Sequence, residues 1–525
     1  MIKFLEKYYL DYIFLFILTF LYYSFLQYNN YIGDPDGFYH AKITLFLREG
    51  ILLKSLPWMQ LSTLKENFTD HQFLYHLILI PFTFLKNPLV GIKIATVFFA
   101  SSMVTTFYWL LKKFKIIWPW LFSILFLTME GLSFRLSLIK TNALSLLIIY
   151  LLIYALFFRK YKLLFALGFL FVYLYGGWPL ALLILFFYFL ADFIYKKIHG
   201  NKLKIFWKKI IYFFNKKNLE STNNLKLIII IFLGILSGLI INPYWPHNIY
   251  FYYQQIIQIG IINLGQQFIV GSEWYGSSLG NIVASAPHLF IFANLIWITF
   301  VFKIKKASQK TWFAFLLSFF FLLMTIKSSR YIEYFWPLTM FFIASGITDL
   351  KKIITWQKIK KDYWQKQNKY LKMYLFSILF VFFLTIIPSL IKNSLKTKIP
   401  SNWPINKFRQ SALWLKNNTA EKEIIFHSSW SDWPLLFYYN TNNYYLIGLD
   451  PTFMYNFDNE LQELYIDITT GKIKKDLSKI IKEKFNSNII FIEKDKNKEF
   501  RNNLNNSFYI KKVYEDNEVN IYKIK

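Results

Sequence analysis

Two carboxylates stand two residues apart in the segment 33–40, directly after the first long apolar run of the chain. Pro35 fixes its own φ angle and disfavours a helical conformation at Asp34, and Asp36-Gly37 is a typical turn dipeptide. We therefore expect Asp34 and Asp36 to lie in a tight loop, where converging oxygens suit a hard divalent cation or the acceptance of a proton. The alternative is a polar turn that only caps the following helix.

Further acidic and basic residues fall at the ends of apolar runs on the same predicted side of a membrane. They are His40, Asp70, His71, Glu130, Arg135, Lys140, Glu273 and Arg330. Carboxylates can hold a metal ion or take a proton, whereas Arg and Lys neutralise phosphate. The set suits a phosphorylated substrate that is held partly in lipid. Glu273 is the only Asp, Glu, Lys or Arg between residues 243 and 286, whereas Arg330 could instead be a residue that snorkels to the membrane surface.

The composition indicates a polytopic membrane protein. Of the 525 residues, 55% are hydrophobic and 21% are aromatic, and the formal net charge is +30. In a soluble protein such a charge would suggest nucleic acid, but here Lys and Arg cluster in short segments between apolar runs, which membrane topology explains better. We therefore predict no nucleic-acid partner. The absence of cysteine excludes disulfides, thiolate nucleophiles and Cys-ligated zinc.

Apolar runs that could cross a bilayer number about eleven, and the first is predicted to be an uncleaved span. They lie near 9–28, 90–111, 116–130, 141–158, 163–177, 178–195, 226–242, 287–302, 311–326, 331–348 and 373–391. Basic segments alternate with loops that are poor in Lys and Arg. The excess of positive charge is typical of cytoplasmic loops, so we expect a cytoplasmic N-terminus in a cell membrane. The C-terminus is then expected outside the cytoplasm.

The segment lengths predict two domains. Residues 1–391 form the transmembrane domain, with a long first outer loop at 29–89 and another outer loop at 243–286. Within the first loop, Phe73–Phe84 is apolar but too short to span, so we expect an interfacial helix. Residues 392–525 are polar and alternate between strand-like and helix-like runs, which predicts a soluble α/β domain. The strand-like runs are 423–427, 488–492 and 520–524, and the helix-like runs are 407–417, 459–470 and 475–485.

This arrangement resembles the GT-C superfamily of multi-span glycosyltransferases, which use polyprenyl-phosphate or polyprenyl-diphosphate sugar donors. It is most similar to the catalytic subunit of oligosaccharyltransferases. Asp34-Pro35-Asp36 with Tyr39-His40 matches the first acidic motif, Glu273 matches the position of the outer-loop glutamate, and residues 330–337 resemble the arginine segment before a late span. In the tail, residues 429–433 loosely resemble the Trp-Trp-Asp motif that reads the acceptor sequence.

The resemblance implies a glycosyltransferase that moves a sugar or oligosaccharide from a polyprenyl-linked donor to a glycan, lipid or protein acceptor on the outer face. It implies catalytic roles for Asp34 and Asp36. The metal, if one is used, would be Mg²⁺ or Mn²⁺, held by Asp34 and Glu273. Substrate would be contacted by His40, Arg135, Lys140, Arg330 and Asp432.

The chain also departs from the oligosaccharyltransferase pattern. The tail motif lacks adjacent tryptophans, and the second acidic pair is reduced to Glu130. Transfer of a single sugar from a polyprenyl-phosphate carrier is therefore equally consistent with the sequence. Residues 448–453 are predicted to form a turn with an exposed acid. This turn either faces the site at the membrane or only closes the C-terminal α/β domain, and we favour the second option.

A transporter or flippase of lipid-linked or polysaccharide substrates is the alternative function. Such proteins place charges near the bilayer midplane and often contain paired repeats. Here the apolar runs are nearly free of charge and show no internal repeat, which favours the enzyme.

Overall fold

The computed structural model describes residues 9–199, 219–302, 304–353, 384–391 and 403–525. Most of the span predicted at 373–391, and the residues that follow the predicted domain boundary, lie outside these ranges. The described chain is largely helical before residue 354 and contains a small sheet after residue 403.

Fifteen α-helices occupy the described residues up to 353. They are α1 (Leu10–Gln27), α2 (Asp36–Arg48), α3 (Phe73–Leu79), α4 (Pro88–Lys113), α5 (Pro119–Ile124), α6 (Glu130–Leu136), α7 (Asn142–Phe157), α8 (Tyr161–Leu174), α9 (Leu180–His199), α10 (Leu219–Ile240), α11 (His247–Tyr252), α12 (Leu279–Ser285), α13 (Pro287–Phe302), α14 (Gln309–Lys327) and α15 (Ile332–Ile353). A 3₁₀ turn, Ile80–Phe84, extends α3, and a π-helical segment, Tyr253–Ile262, extends α11. The helix expected over Phe73–Phe84 is therefore present.

Only some of these helices satisfy the length and composition of a full membrane span. Among the described residues, α1, α4 and α14 do so, and α12 with α13 would make a fourth as a pair bent by 104°. The prediction of about eleven spans is not confirmed. The run at 116–130 forms two short pieces, α5 and the 3₁₀ turn Leu125–Thr128. Its helix begins only at Pro119, because proline is suited to the first position of a helix.

The turn around Asp34 differs in part from expectation. Asp36 does not lie in a loop but is the first residue of α2, and Pro35 precedes it with φ of −60°. Proline is preorganised for the start of a helix, where an acidic side chain also complements the helix dipole. Asp34 remains in the turn, and its Oδ1 accepts a hydrogen bond from the backbone N–H of Asp36 at 2.8 Å.

The residues from 403 onward surround one mixed sheet in the strand order β2-β1-β3-β5-β4. The strands are β1 (Ile424–His427), β2 (Tyr444–Tyr445), β3 (Ile489–Glu493), β4 (Ile510–Glu515) and β5 (Val519–Ile524), and the helices are α16 (Arg409–Asn418), α17 (Trp433–Tyr439), α18 (Thr452–Tyr455), α19 (Asn459–Thr469), α20 (Leu477–Phe485) and α21 (Lys498–Asn505). Strand β1 runs parallel to β2 and β3, whereas β5 is antiparallel to β3 and β4. The three predicted strands and three predicted helices are present, within three residues at each end.

The loop at 29–89 covers the β2 edge of this sheet. The backbone N–H groups of residues 60 and 61 donate to the carbonyl oxygens of residues 445 and 446, both at 2.8 Å. The indole N–H of Trp433 donates to the carbonyl oxygen of Trp58 at 2.9 Å. Because an unpaired edge strand leaves backbone groups unsatisfied, this pairing fixes the sheet against the loop that contains Asp34.

Candidate active site

A cavity of about 400 Å³ lies between the outer loops and the sheet region. Its wall includes Asp34, Asp36, His40, Arg135, Lys140, Glu273 and Arg330 from the membrane part of the chain, and Trp403, Trp430, Ser431, Leu449 and Asp450 from the sheet region. The structure therefore brings seven of the eight predicted site residues to one concave surface. Asp432 is the predicted substrate residue that is absent from this wall.

Lys140 joins the two carboxylates of the Asp34 turn. Its Nζ lies 3.0 Å from Asp34 Oδ2 and 2.9 Å from Asp36 Oδ2. The loop that carries Lys140 packs tightly on the turn, because a Cβ at Gly33 would lie 2.8 Å from Cδ2 of Leu138. Glycine at position 33 thus allows the close approach that places the ammonium between the carboxylates.

Glu273 is the centre of a second group of charges. Its Oε1 lies 2.9 Å from Nη1 of Arg330, its Oε2 pairs with Arg135, and Lys140 lies 3.9 Å away. The hydroxyls of Ser328 and Ser329 donate to its backbone carbonyl at 2.8 and 3.1 Å. One carboxylate from the outer loop at 243–286 therefore holds three cations that come from different segments.

The two arginines are themselves held on both sides. Arg135, in the last turn of α6, also donates from Nε to the buried Glu333 of α15 at 2.9 Å. Arg330 donates to the hydroxyl of Tyr175 at 3.2 Å and lies over the ring of Trp274. Side-chain exposure is 16% for Arg330, 11% for Lys140 and 6% for Arg135, so Arg330 and Lys140 present the most charge to the cavity.

The electrostatics keep these groups ionised, with one exception. Burial would raise the pKa of Glu273, but Lys140, Arg135 and Arg330 outweigh it and hold that pKa well below the usual range. Burial would lower the pKa of Lys140, but the neighbouring carboxylates raise it. For Asp36, burial and the charge of Asp34 raise the pKa to about 7, against the opposing effect of Lys140.

His40 ends a chain of buried side chains. Its Nδ1 lies 2.8 Å from Nε2 of His76, and Nδ1 of His76 lies 2.7 Å from Oδ2 of Asp70. The sequence pointed to His40 and Asp70 but not to His76. A histidine inside the otherwise apolar helix Phe73–Leu79 was the available signal, because a buried polar side chain needs a partner.

The sheet region contributes residues that differ from the predicted ones. Asp432 is fully buried, and its nearest cation, Nζ of Lys496, is 3.6 Å away, too far for a hydrogen bond. Its neighbours Trp430 and Ser431 line the cavity instead, because the 3₁₀ turn turns Asp432 inward. Asp450 also lines the cavity, so the turn 448–453 faces the membrane site, contrary to the option favoured from the sequence.

The resemblance implied a divalent cation, and the residues present can be tested against it. No group of three or more His, Asp or Glu that could hold a metal ion occurs among the residues that the structure describes. Instead, Asp34, Asp36 and Glu273 converge on Nζ of Lys140 at 3.0, 2.9 and 3.9 Å. The ammonium takes the place between carboxylates that a metal ion would need. These side chains do not fit a resident Mg²⁺ or Mn²⁺ as they stand, and the metal remains only a prediction.

Comparison with known proteins identifies the fold. No family model and no curated protein matches the chain. Among solved structures, an oligosaccharyltransferase from Archaeoglobus fulgidus in the apo form aligns with 92% of this chain and 69% of its own, with a TM-score of 0.61 and 11% identity. ArnT from Cupriavidus metallidurans, bound to undecaprenyl phosphate, aligns over 98% of both chains with a TM-score of 0.50 and 12% identity. The fold is that of the GT-C glycosyltransferases.

A third GT-C enzyme extends the comparison. Arabinofuranosyltransferase AftD from Mycobacteria aligns with 98% of this chain and 40% of its own, with a TM-score of 0.51 and 9% identity. The resemblance seen in the short motifs is thus confirmed at the level of the fold. Identities of 9–12% show a shared fold and carry nothing further about what this chain binds.

Proposed function

We propose that this protein is a membrane glycosyltransferase of the GT-C type. It moves a sugar or oligosaccharide from a polyprenyl-phosphate or polyprenyl-diphosphate donor to an acceptor on the outer face of the membrane. The observation that carries the proposal is one cavity in which a pair of carboxylates faces Lys140, Arg135 and Arg330. Fixed cations beside fixed anions suit a reaction that separates a phosphate leaving group from a nucleophile.

The donor phosphate binds the cations. Arg330 and Lys140 contact phosphate oxygens, because they are the most exposed of the three to the cavity, and Arg135 adds charge from behind Glu273. Glu273 positions all three. Solved relatives support a lipid-phosphate ligand, since AglB from Archaeoglobus fulgidus was determined with a dolichol-phosphate and an inhibitory peptide, and ArnT with undecaprenyl phosphate.

The acceptor binds at the opposite side of the cavity, where Asp34 and Asp36 accept hydrogen bonds from it and His40 contacts it. In the reaction, an oxygen or nitrogen of the acceptor gives its proton to a basic side chain of the cavity wall and forms a bond to the anomeric carbon. The bond from that carbon to the phosphate oxygen breaks, and its electron pair leaves with the phosphate. Lys140 and Arg330 stabilise the charge that develops on the leaving oxygen.

The test uses the purified full chain in lipid nanodiscs with radiolabelled sugars on polyprenyl phosphate and on polyprenyl diphosphate. We expect label to pass to an acceptor, and Asp34→Asn to lower kcat by about 10²–10³-fold because one fixed anion is removed from the site. The variant should accumulate and unfold at the temperature of the parent. The transporter would be favoured if the parent protein transfers no sugar from any donor but moves intact lipid-linked sugar across the membrane.

A further inference from the structure

Three buried side chains form a hydrogen-bonded chain that ends at the cavity wall. Asp70, His76 and His40 are 2%, 0% and 2% exposed, and they are joined by contacts of 2.7 and 2.8 Å. Only His40 of the three lines the cavity. The chain links the apolar helix α3 to the helix α2, which begins at Asp36.

With both imidazoles neutral, one pattern of donors and acceptors satisfies these contacts. Both oxygens of Asp70 accept, Oδ1 from the backbone N–H of Gln72 at 3.0 Å and Oδ2 from His76 Nδ1, as an ionised carboxylate requires. A neutral His76 that donates from Nδ1 to Asp70 accepts at Nε2. His40 then donates from Nδ1, which leaves the lone pair on its Nε2.

We propose that His40 is the catalytic base of the transfer and that His76 and Asp70 position it, an inference that rests on the glycosyltransferase function proposed above. Nε2 of His40 takes the proton of an acceptor hydroxyl as the oxygen forms its bond to the anomeric carbon. The O–H bond breaks, the proton moves to Nε2, and the phosphate leaves with the electron pair of the broken glycosidic bond. The proton then passes from the imidazolium to water.

The placement of His40 supports this role. Asp36 and His40 are four residues apart on α2, so their side chains lie on one face, one turn from each other. An acceptor held by Asp34 and Asp36 would therefore have its nucleophile close to His40. Both carboxylates are already paired with Nζ of Lys140, whereas Nε2 of His40 is the ring nitrogen that the contact with His76 does not use.

The surroundings of His40 keep its imidazole unprotonated before the reaction. Burial lowers its pKa well below the usual range, and His76, Lys140 and His71 act in the same direction. The imidazole is thus neutral at pH 7. The imidazolium that forms is stabilised by the carboxylate of Asp70 through His76, as in other arrangements where an acid orients a histidine base.

The inference specifies the chemical class of acceptor. A neutral imidazole backed by a carboxylate activates hydroxyl groups, so the acceptor nucleophile is an alcohol, as on a sugar or a hydroxylated lipid. An asparagine side-chain amide is not an acceptor under this mechanism. Transfer to an alkyl glycoside, with none to an Asn-containing peptide, is the expected result, and transfer to the peptide alone would overturn the inference.

The sharpest variant is Asp70→Asn, which keeps shape and lies outside the cavity wall. The new amide oxygen still accepts from Gln72, so its NH₂ faces His76 Nδ1 and reverses each hydrogen bond along the chain. His40 would then present an N–H to the cavity. We expect kcat to fall by about 10²–10⁴-fold, the usual contribution of a positioned base, with the donor KM within about twofold of the parent value.

Asp349→Asn is the matched control. Asp349 is also 2% exposed and accepts two hydrogen bonds, from Ser308 and Thr311, but it lies near the far end of α15 from Glu333. It should lower thermal stability as Asp70→Asn does while leaving kcat unchanged. Equal losses of kcat in the two variants would show that Asp70 acts only in folding.

His40→Gln provides a second, independent measurement, because its amide can still donate to His76 but cannot take a proton. Its loss of kcat should match that of Asp70→Asn, and the double variant should lose no more than either single one. If the parent transfers sugar and His40→Gln transfers it equally fast, the inference fails while the proposed function stands. If the parent transfers none, the proposed function fails first.

Discussion

Arg330 lies in the 3₁₀ turn just before α15 and contacts three different groups: Glu273, Tyr175 and the ring of Trp274. In Arg330→Ala, we expect the kcat/KM for the donor to fall by about 10–150-fold, because a charge-assisted hydrogen bond contributes about 1.5–3 kcal/mol. The acceptor KM should change little. Steady-state kinetics with each substrate varied in turn will measure this.

Lys327→Ala is the control for Arg330. Lys327 lies three residues away, is exposed, and contacts the carbonyl oxygen of Ile261 at 2.5 Å. It does not line the cavity, so its removal should leave donor kinetics unchanged. Equal effects of the two substitutions would mean that Arg330 serves only as a cation at the membrane surface.

Lys140 supplies the positive charge between the carboxylates. We therefore expect transfer by the protein to persist in EDTA, with the rate within about twofold of the untreated value, since a metal used in catalysis would contribute several kcal/mol. Initial rates before and after dialysis against the chelator will check this. A rate that collapses in EDTA and returns with added Mg²⁺ or Mn²⁺ would restore the metal site implied by the resemblance.

At this scale, the sequence predicts which residues matter better than it predicts their contacts. Proline and glycine around Asp34, and the isolation of Glu273 in its loop, were readable from residue types alone. The position of Lys140 between Asp34 and Asp36 was not, because it depends on how two segments more than 100 residues apart pack against each other. The hydrogen bond between His40 and His76, which are 36 positions apart, was not readable from the sequence either.

The carboxyl group of Asp432, in the 3₁₀ turn Trp430–Asp432, is fully buried and has no hydrogen-bond partner among the residues that the structure describes. Burial raises the pKa of Asp432 to about 6, although Lys496 acts to lower it. The folded protein thus binds this proton more tightly than the unfolded chain. The stability that this proton contributes is complete below pH 4 and is lost as pH rises through about 6.

Asp432→Asn should therefore stabilise the protein at pH 8, by on the order of 1–3 kcal/mol, because a shift of one pKa unit corresponds to about 1.4 kcal/mol. The gain should disappear near pH 4, where the parent carboxyl is protonated. Thermal unfolding of both proteins at the two pH values will measure it. Destabilisation at pH 8 would show that the pair with Lys496 outweighs the cost of burial.

Secondary structure was predictable where a local pattern suffices. The strands of the sheet region alternate with amphipathic helices, so β1, β3 and β5 could be recognised from short windows. Strand β2 has only two residues, Tyr444–Tyr445, and it exists because it pairs with β1 on one side and contacts the first outer loop on the other. No window of sequence contains that information.

The cavity opens between the outer loops and the sheet region, so both must lie on one side of the membrane. We expect a protease-cleavable tag placed after residue 525 to be cut by protease added to intact spheroplasts. The basic segments are expected to stay in the cytoplasm, which places the C-terminus on the opposite side of the membrane. A second tag in the basic segment 303–310 should be cleaved only after the membrane is permeabilised. The opposite pattern would invert the predicted orientation.

The pairing of Trp58 with Trp433 has a consequence for the newly made chain. These residues are 375 positions apart, and at 5–20 residues per second the ribosome needs about 20–75 s to pass from one to the other. During that interval the loop at 29–89 lacks the sheet that later pairs with its backbone groups. Synthesis that stops before residue 403 therefore leaves a chain that lacks one wall of the cavity. Under the proposed function, such truncated products should transfer no sugar from lipid-linked donors.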